Sequence, residues 1–131
     1  MENNLHKVTK HGVSVVINFV VSDEDSDDIM SAALDGGITY WCCKAEVIGE
    51  YLGEYASEQI ARGGSLKLYD MEDDTVSELT LDKFLNGLRL WIENERAFVL
   101  TNAGRLDVGQ IDALAADAII QYALFNDVVY G

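Results

Sequence analysis

The sequence is most informative at first in what it lacks. It has no proline, two cysteines, two histidines and only nine lysines and arginines among 131 residues. We find no linker, no repeat and no low-complexity tract, so the chain predicts one domain, residues 1–131, with residues 1–11 as a loose lead-in. The longest apolar run, residues 13–21, is interrupted by Ser14 and Asn18 and is too short to span a bilayer. No signal peptide opens the chain, so we expect a soluble cytoplasmic protein without membrane partners.

The shortage of cysteine and histidine argues against a metal centre. Cys42 and Cys43 are adjacent, and neighbours on a strand point to opposite faces, so they suit neither a shared metal nor a disulfide. Residues 23–28 begin like a calcium loop, but Asp28 and Leu34 stand where that loop needs glycine and glutamate. We therefore expect no metal, no cofactor and reduced thiols, at least one of them in the core.

The shortage of basic residues has a larger consequence. Twenty-three acidic residues give a formal net charge of −14. Such a surface repels phosphate backbones and anionic lipids, so direct nucleic-acid or membrane binding is disfavoured and basic surfaces are the favoured partners. Solubility alone is the competing explanation of this charge.

The hydrophobic pattern predicts a small α+β domain, with an antiparallel sheet of about four strands packed with about three helices. Alternation predicts strands at residues 13–21, 38–47, 65–70 and 75–80, the last two forming a hairpin with its tip at 71–74. Helices are predicted after Ser22, over residues 56–62, after Thr80 and over residues 107–125. Gly36 and Gly37 are expected to provide a left-handed stop, and residues 93–105 a connection.

The last predicted helix and the chain end have apolar faces. The buried face of the helix is predicted to consist of Ile111, Leu114, Ala115, Ala118, Ile119, Tyr122 and Phe125. The tail at residues 128–130 is apolar enough to pack against the domain or to add a short strand. Helix and tail together are one candidate contact for a homo-oligomer, which gives a structural or assembly role as a third functional alternative.

Two acidic clusters are the candidate partner-binding surface. Asp favours turns and helix starts, which explains part of each cluster, but crowding like charges adds nothing to stability. The remainder favours an electrostatic contact. The helix-start cluster is Asp23, Glu24, Asp25, Asp27 and Asp28, and the hairpin-tip cluster is Asp70, Glu72, Asp73 and Asp74.

No catalytic residue is indicated. The serines lack a nucleophile-elbow setting and the glycine pairs lack the phosphate-loop lysine, so we expect a non-enzymatic protein. The alternative is a small-ligand or nucleotide-binding protein or enzyme with an aromatic pocket. The candidate pocket residues are Tyr40, Trp41, Tyr51, Tyr55 and Trp91.

Three stretches carry a resemblance. Residues 36–42 (GGITYWC), residues 54–64 (EYASEQI through the glycine pair) and QYALF at 121–125, followed by VYG at 129–131, together resemble a family of small acidic bacteriophage and prophage proteins. The resemblance covers residues 22–131. It implies a genetic context but no reaction, so no site residue is carried over. A basic, nucleic-acid-binding host or phage protein is the expected partner, and inhibition of a defence nuclease, anti-CRISPR or anti-restriction, by DNA mimicry is the concrete hypothesis.

Overall fold

A computed structural model describes residues 9–95 and 106–131 as an α+β domain with three α-helices and a three-stranded antiparallel sheet. The helices are α1 (Asp23–Ala32), α2 (Leu81–Glu95) and α3 (Ala113–Phe125). The strands are β1 (Cys42–Ile48), β2 (Ser65–Asp70) and β3 (Val76–Leu79), in the spatial order β1-β2-β3. None of the described helices is long and apolar enough to cross a membrane.

The hairpin follows the predicted alternation closely. Leu66 pairs with Leu79 and Leu68 with Ser77, and both Leu66 and Leu68 are fully buried beneath the sheet. The strand before it begins later than predicted, at Cys42, because residues 38–41 form a turn in which the Trp41 and Cys42 N–H groups donate to the Ile38 carbonyl. Cys42 is buried and Cys43 exposed, and both are free thiols, as the alternation predicted.

The first helix begins as the sequence predicts but ends differently. Ser22 Oγ accepts from the Asp25 N–H at 3.0 Å, and the Ser22 N–H donates to the Asp25 carboxylate at 3.2 Å, which completes a capping box. The helix continues as a π-helical turn over Ala33–Gly37. The predicted left-handed stop is wrong, because neither glycine has a positive φ. Gly37 instead permits close packing, since a Cβ there would lie 2.6 Å from the Ala113 carbonyl oxygen.

Two other sequence predictions fail. The helix predicted at 56–62 is only a 3₁₀ turn at Ala56–Glu58 followed by further turns. The strand predicted at 13–21 is absent from the sheet: residues 9–19 have no regular secondary structure, and Val20 forms an isolated bridge in which its carbonyl accepts from the Leu106 N–H at 3.3 Å. Most of the predicted connection at 93–105 lies outside the described residues.

The core is enclosed by α2, α3, the sheet and α1. Helix α2 follows Thr80, whose hydroxyl accepts from the Lys83 N–H, and it packs along α3 through Phe84, Leu88 and Trp91. Helix α3 follows a 3₁₀ turn (Val108–Gln110) and is capped by Asp112, whose carboxylate accepts from the Ala115 N–H. This arrangement leaves two regions largely exposed, the hairpin tip (residues 71–74) and the N-terminal segment (residues 12–22).

Candidate functional site

The hairpin tip presents three of its four predicted carboxylates to solvent. Glu72, Asp73 and Asp74 are exposed, whereas Asp70 is 5 % exposed. Asp73 Oδ1 shapes the turn by accepting from the Thr75 N–H at 3.1 Å and its hydroxyl at 2.7 Å, and Asp74 has a positive φ of 57°. Within residues 9–95 and 106–131, none of the ion pairs involves the tip, so these three charges face solvent.

Asp70 belongs to the interior rather than to the acidic surface, which corrects its place in the predicted cluster. It accepts hydrogen bonds from the Glu72 N–H at 2.8 Å and from the Tyr130 hydroxyl. The Tyr130 hydroxyl, followed by the Glu72 N–H, lowers the pKa of the Asp70 carboxyl. A solvent-facing partner cannot engage this carboxylate without first displacing the chain end.

The helix-start cluster is partly committed to the fold. Asp25 completes the capping box with Ser22, and Asp27 forms a salt bridge with Arg62 at 3.0 Å. Asp27 therefore contributes a salt bridge to the fold and is not a free surface charge. The members that remain exposed without such a role are Asp23, Glu24 and Asp28.

The predicted aromatic pocket does not form as one open site. Trp41 and Trp91 are buried in the hydrophobic core, and Tyr51 and Tyr55 lie exposed on the loop that follows β1. Tyr40 is half exposed and donates to Asp117 at 2.7 Å. The five residues are therefore divided between the core and the surface, and they do not line one open cleft.

The interior does contain a polar cluster that the sequence did not reveal. Asp117, buried on α3, accepts from Trp41 Nε1 at 2.8 Å, from the Tyr40 hydroxyl and from Gln121 Nε2 at 2.9 Å. Its carboxylate is therefore satisfied by three donors, as a buried charge requires. The sequence signal for this cluster is that Asp117 and Gln121 are four residues apart in an otherwise apolar helix.

The same cluster fixes the chain end. Gln121 Oε1 accepts from the Val129 and Tyr130 N–H groups at 2.7 and 2.8 Å, and the Tyr130 ring stacks on Trp41 with centroids 5.1 Å apart. Tyr130 then reaches Asp70 on β2. The tail is thus packed against the domain, which was one of the two predicted alternatives, while Val128 and Val129 stay 39 % and 56 % exposed. The oligomer contact through helix and tail stays a prediction. Leu114, predicted to be buried on α3, is 77 % exposed.

The tyrosines of this cluster make stability sensitive to high pH. Burial and the Asp117 hydrogen bond raise the pKa of Tyr40 to about 12, and the hydrogen bond to Asp70 raises that of Tyr130 to about 12, from an ordinary value of 10.0. The folded state keeps protons that the unfolded chain loses, so their stabilisation is complete below pH 10 and is lost as pH rises from 10 to 12. We expect the melting temperature to fall across this window, and to fall less steeply in a Tyr40→Phe/Tyr130→Phe double variant. Equal slopes for the two proteins would contradict the assignment.

A cavity of about 670 Å³ lies between residues 15–21 and α2. Its walls are mainly aliphatic, with Phe19, Leu85 and Leu88 among them. Two charged residues at its edge, Arg89 and Glu93, are paired with each other at 3.0 Å. The cavity has few groups for recognising a polar ligand.

Among the described residues, no three His, Cys, Asp or Glu side chains are grouped closely enough to hold a metal ion. No protein-family model, curated protein or solved structure matches this chain. The functional argument therefore depends on the molecule's own geometry and charge.

Proposed function

We propose that this chain is a non-enzymatic interaction protein that uses its acidic hairpin tip to bind a basic surface of a nucleic-acid-binding host or phage protein. The observation that carries the proposal is the exposed run Glu72, Asp73 and Asp74, held on a tight turn and unpaired with any described basic residue. The net charge of −14 adds long-range attraction toward a basic partner.

The geometry of the tip and the resemblance to phage proteins support a narrower partner class. Adjacent carboxylates on a projecting turn can occupy positions where a nucleic-acid-binding groove otherwise holds phosphates. The acidic charge, together with the resemblance to phage and prophage proteins, supports a host defence nuclease as the specific target that we propose, with the protein acting in the cytoplasm of an infected or lysogenic bacterium. Inhibition then results from competition with DNA.

The test neutralises the tip without disturbing its turn. A Glu72→Gln/Asp73→Asn/Asp74→Asn variant keeps the Asp73 side-chain oxygen that Thr75 uses, and Asn tolerates the positive φ at position 74. We expect its melting temperature to equal or exceed that of the wild type, because like-charge repulsion falls. Affinity for proteins captured from a bacterial lysate should fall about tenfold or more, mainly through slower association.

The matched comparison is Asp23→Asn/Glu24→Gln/Asp28→Asn, which also removes three exposed charges. Losing acids from the first turn of α1 should destabilise the protein by a few tenths to about 1 kcal/mol for each first-turn residue, whatever the function. A tip-specific contact predicts that this variant retains more affinity than the tip variant. If neither variant binds more weakly than the wild type, the contact-surface proposal is wrong.

The alternative of a small-ligand site is less well supported, because Trp41 is covered by the chain's own Tyr130. A thermal-shift screen against nucleotides and signalling dinucleotides tests it, since a ligand at a hundred times its dissociation constant adds about 2.7 kcal/mol. A stabilising nucleotide would favour this alternative over the interaction protein.

A further inference from the structure

The N-terminal segment is the most apolar exposed part of the described chain. Val13, Val15, Val16, Ile17 and Val20 are all more than half exposed, with Val16 at 89 %. These apolar residues lie on both faces of the strand pattern, which is typical of a β-strand that is covered on both sides, yet the sheet does not include them. An exposed segment of this composition is typical of an interaction surface.

The charge pattern around the segment indicates what covers it. Residues 12–22 contain no ionisable side chain, although the chain as a whole carries a net charge of −14. A second copy of the chain is repelled over most of the surface but not here. On the N-terminal side the segment is preceded by Lys10 and His11, and on the C-terminal side it is followed by Asp23 and Glu24.

These flanks are complementary only when two copies run antiparallel. A two-fold axis perpendicular to the paired strands places residues of the same parity opposite each other, which keeps the same face of both strands together. With Ile17 at the axis, Gly12 of one copy lies opposite Ser22 of the other, so Lys10 and His11 lie beside the first turn of the other copy's α1, which carries Asp23 and Glu24. Parallel pairing would instead place like charges side by side.

We infer that the protein forms a homodimer by antiparallel pairing of residues 12–22 about Ile17, with Lys10 and His11 of each copy facing the acidic first turn of the other copy's α1. The pairing supplies backbone hydrogen bonds and brings the exposed valines of the two copies into cross-strand contact. Phe19 and Val21, which already pack against the core, anchor each strand to its own domain.

The first experiment measures mass by sedimentation from micromolar to millimolar concentration. The wild type should rise from 14.5 kDa toward twice that mass. Val16→Asp should remain monomeric because it places a charge on the pairing face. Leu114→Asp, which adds the same charge at another exposed apolar site, should dimerise as the wild type does. A wild type that stays monomeric throughout, or two variants that behave alike, would overturn the inference.

The second experiment tests the register by charge reversal. Lys10→Glu and Glu24→Lys should each weaken dimerisation about tenfold, because each replaces two attractive contacts per dimer by repulsive ones. The double variant restores both pairs in reverse and should return to within about threefold of the wild type. If only net charge mattered, Glu24→Lys would associate more strongly than the wild type, and that result would contradict this register. A double variant that dimerises no better than either single variant would contradict it as well.

Discussion

Replacing Asp117 by Ala is expected to lower the free energy of unfolding by about 3–5 kcal/mol, a large part of the stability of a small domain. The substitution removes the acceptor of Trp41 Nε1, the Tyr40 hydroxyl and one Gln121 N–H. The Trp41 and Gln121 donors are buried and would lose this partner without access to water. Urea denaturation monitored by circular dichroism gives the measurement.

Asp117→Asn separates charge from shape. It keeps one acceptor oxygen but turns an amide toward a donor, so we expect a smaller loss of about 1–3 kcal/mol. Asp127→Asn removes an exposed charge just beyond the same helix and should change stability by less than about 0.5 kcal/mol. An Asp117→Ala protein within 1 kcal/mol of the wild type would show that the polar cluster does not hold the chain end and β1 to α3.

The second large effect is expected at Gly87, where α2 crosses α3. A Cβ at this position would lie 2.5 Å from the Ile119 carbonyl oxygen and 2.7 Å from both the amide nitrogen and the Cβ of Ala123. Gly87→Ala therefore forces the helices apart, and the cost of overpacking exceeds the gain of about 1 kcal/mol in helix propensity. We expect a net loss of about 1–3 kcal/mol in the free energy of unfolding.

Gly36→Ala is the matched control, because a Cβ there meets no atom within 4 Å and the residue has no positive φ. It should be neutral or stabilise the protein by up to about 1 kcal/mol through the unfolded state. Thermal melts of the two variants side by side test the assignment. Equal melting temperatures would mean that the α2–α3 contact is looser than described.

Local pattern predicted the elements whose burial repeats along the chain. The period of the β2–β3 hairpin and that of the apolar face of α2 each match one buried side. The start of α1 is marked by its capping residue, so the sequence alone identifies all three. The segment at 13–21 has an equally clear period but does not join the sheet. A strand pattern reports which faces can be covered, and it does not say by what.

The polar interior could not be predicted for a different reason. Asp117 is satisfied by Tyr40 and Trp41, which are more than 70 residues away in sequence, so no window on α3 contains its partners. The same holds for Asp70, which the sequence places in an acidic turn and the fold places under Tyr130. In the candidate site, the carboxylates at 72–74 could be predicted from local turn chemistry alone. These are the carboxylates of the hairpin tip that the structure places at the surface.

Competition with DNA is the most direct measurement of the proposed function. A basic protein captured from a host lysate at low salt is bound to a labelled DNA duplex and titrated with the wild type and with the Glu72→Gln/Asp73→Asn/Asp74→Asn variant. The account predicts that the wild type displaces the DNA, that added salt weakens the displacement steeply, and that the variant needs about tenfold more protein. Capture of no basic nucleic-acid-binding protein, or a ternary complex in which DNA and this protein remain bound together, would contradict it.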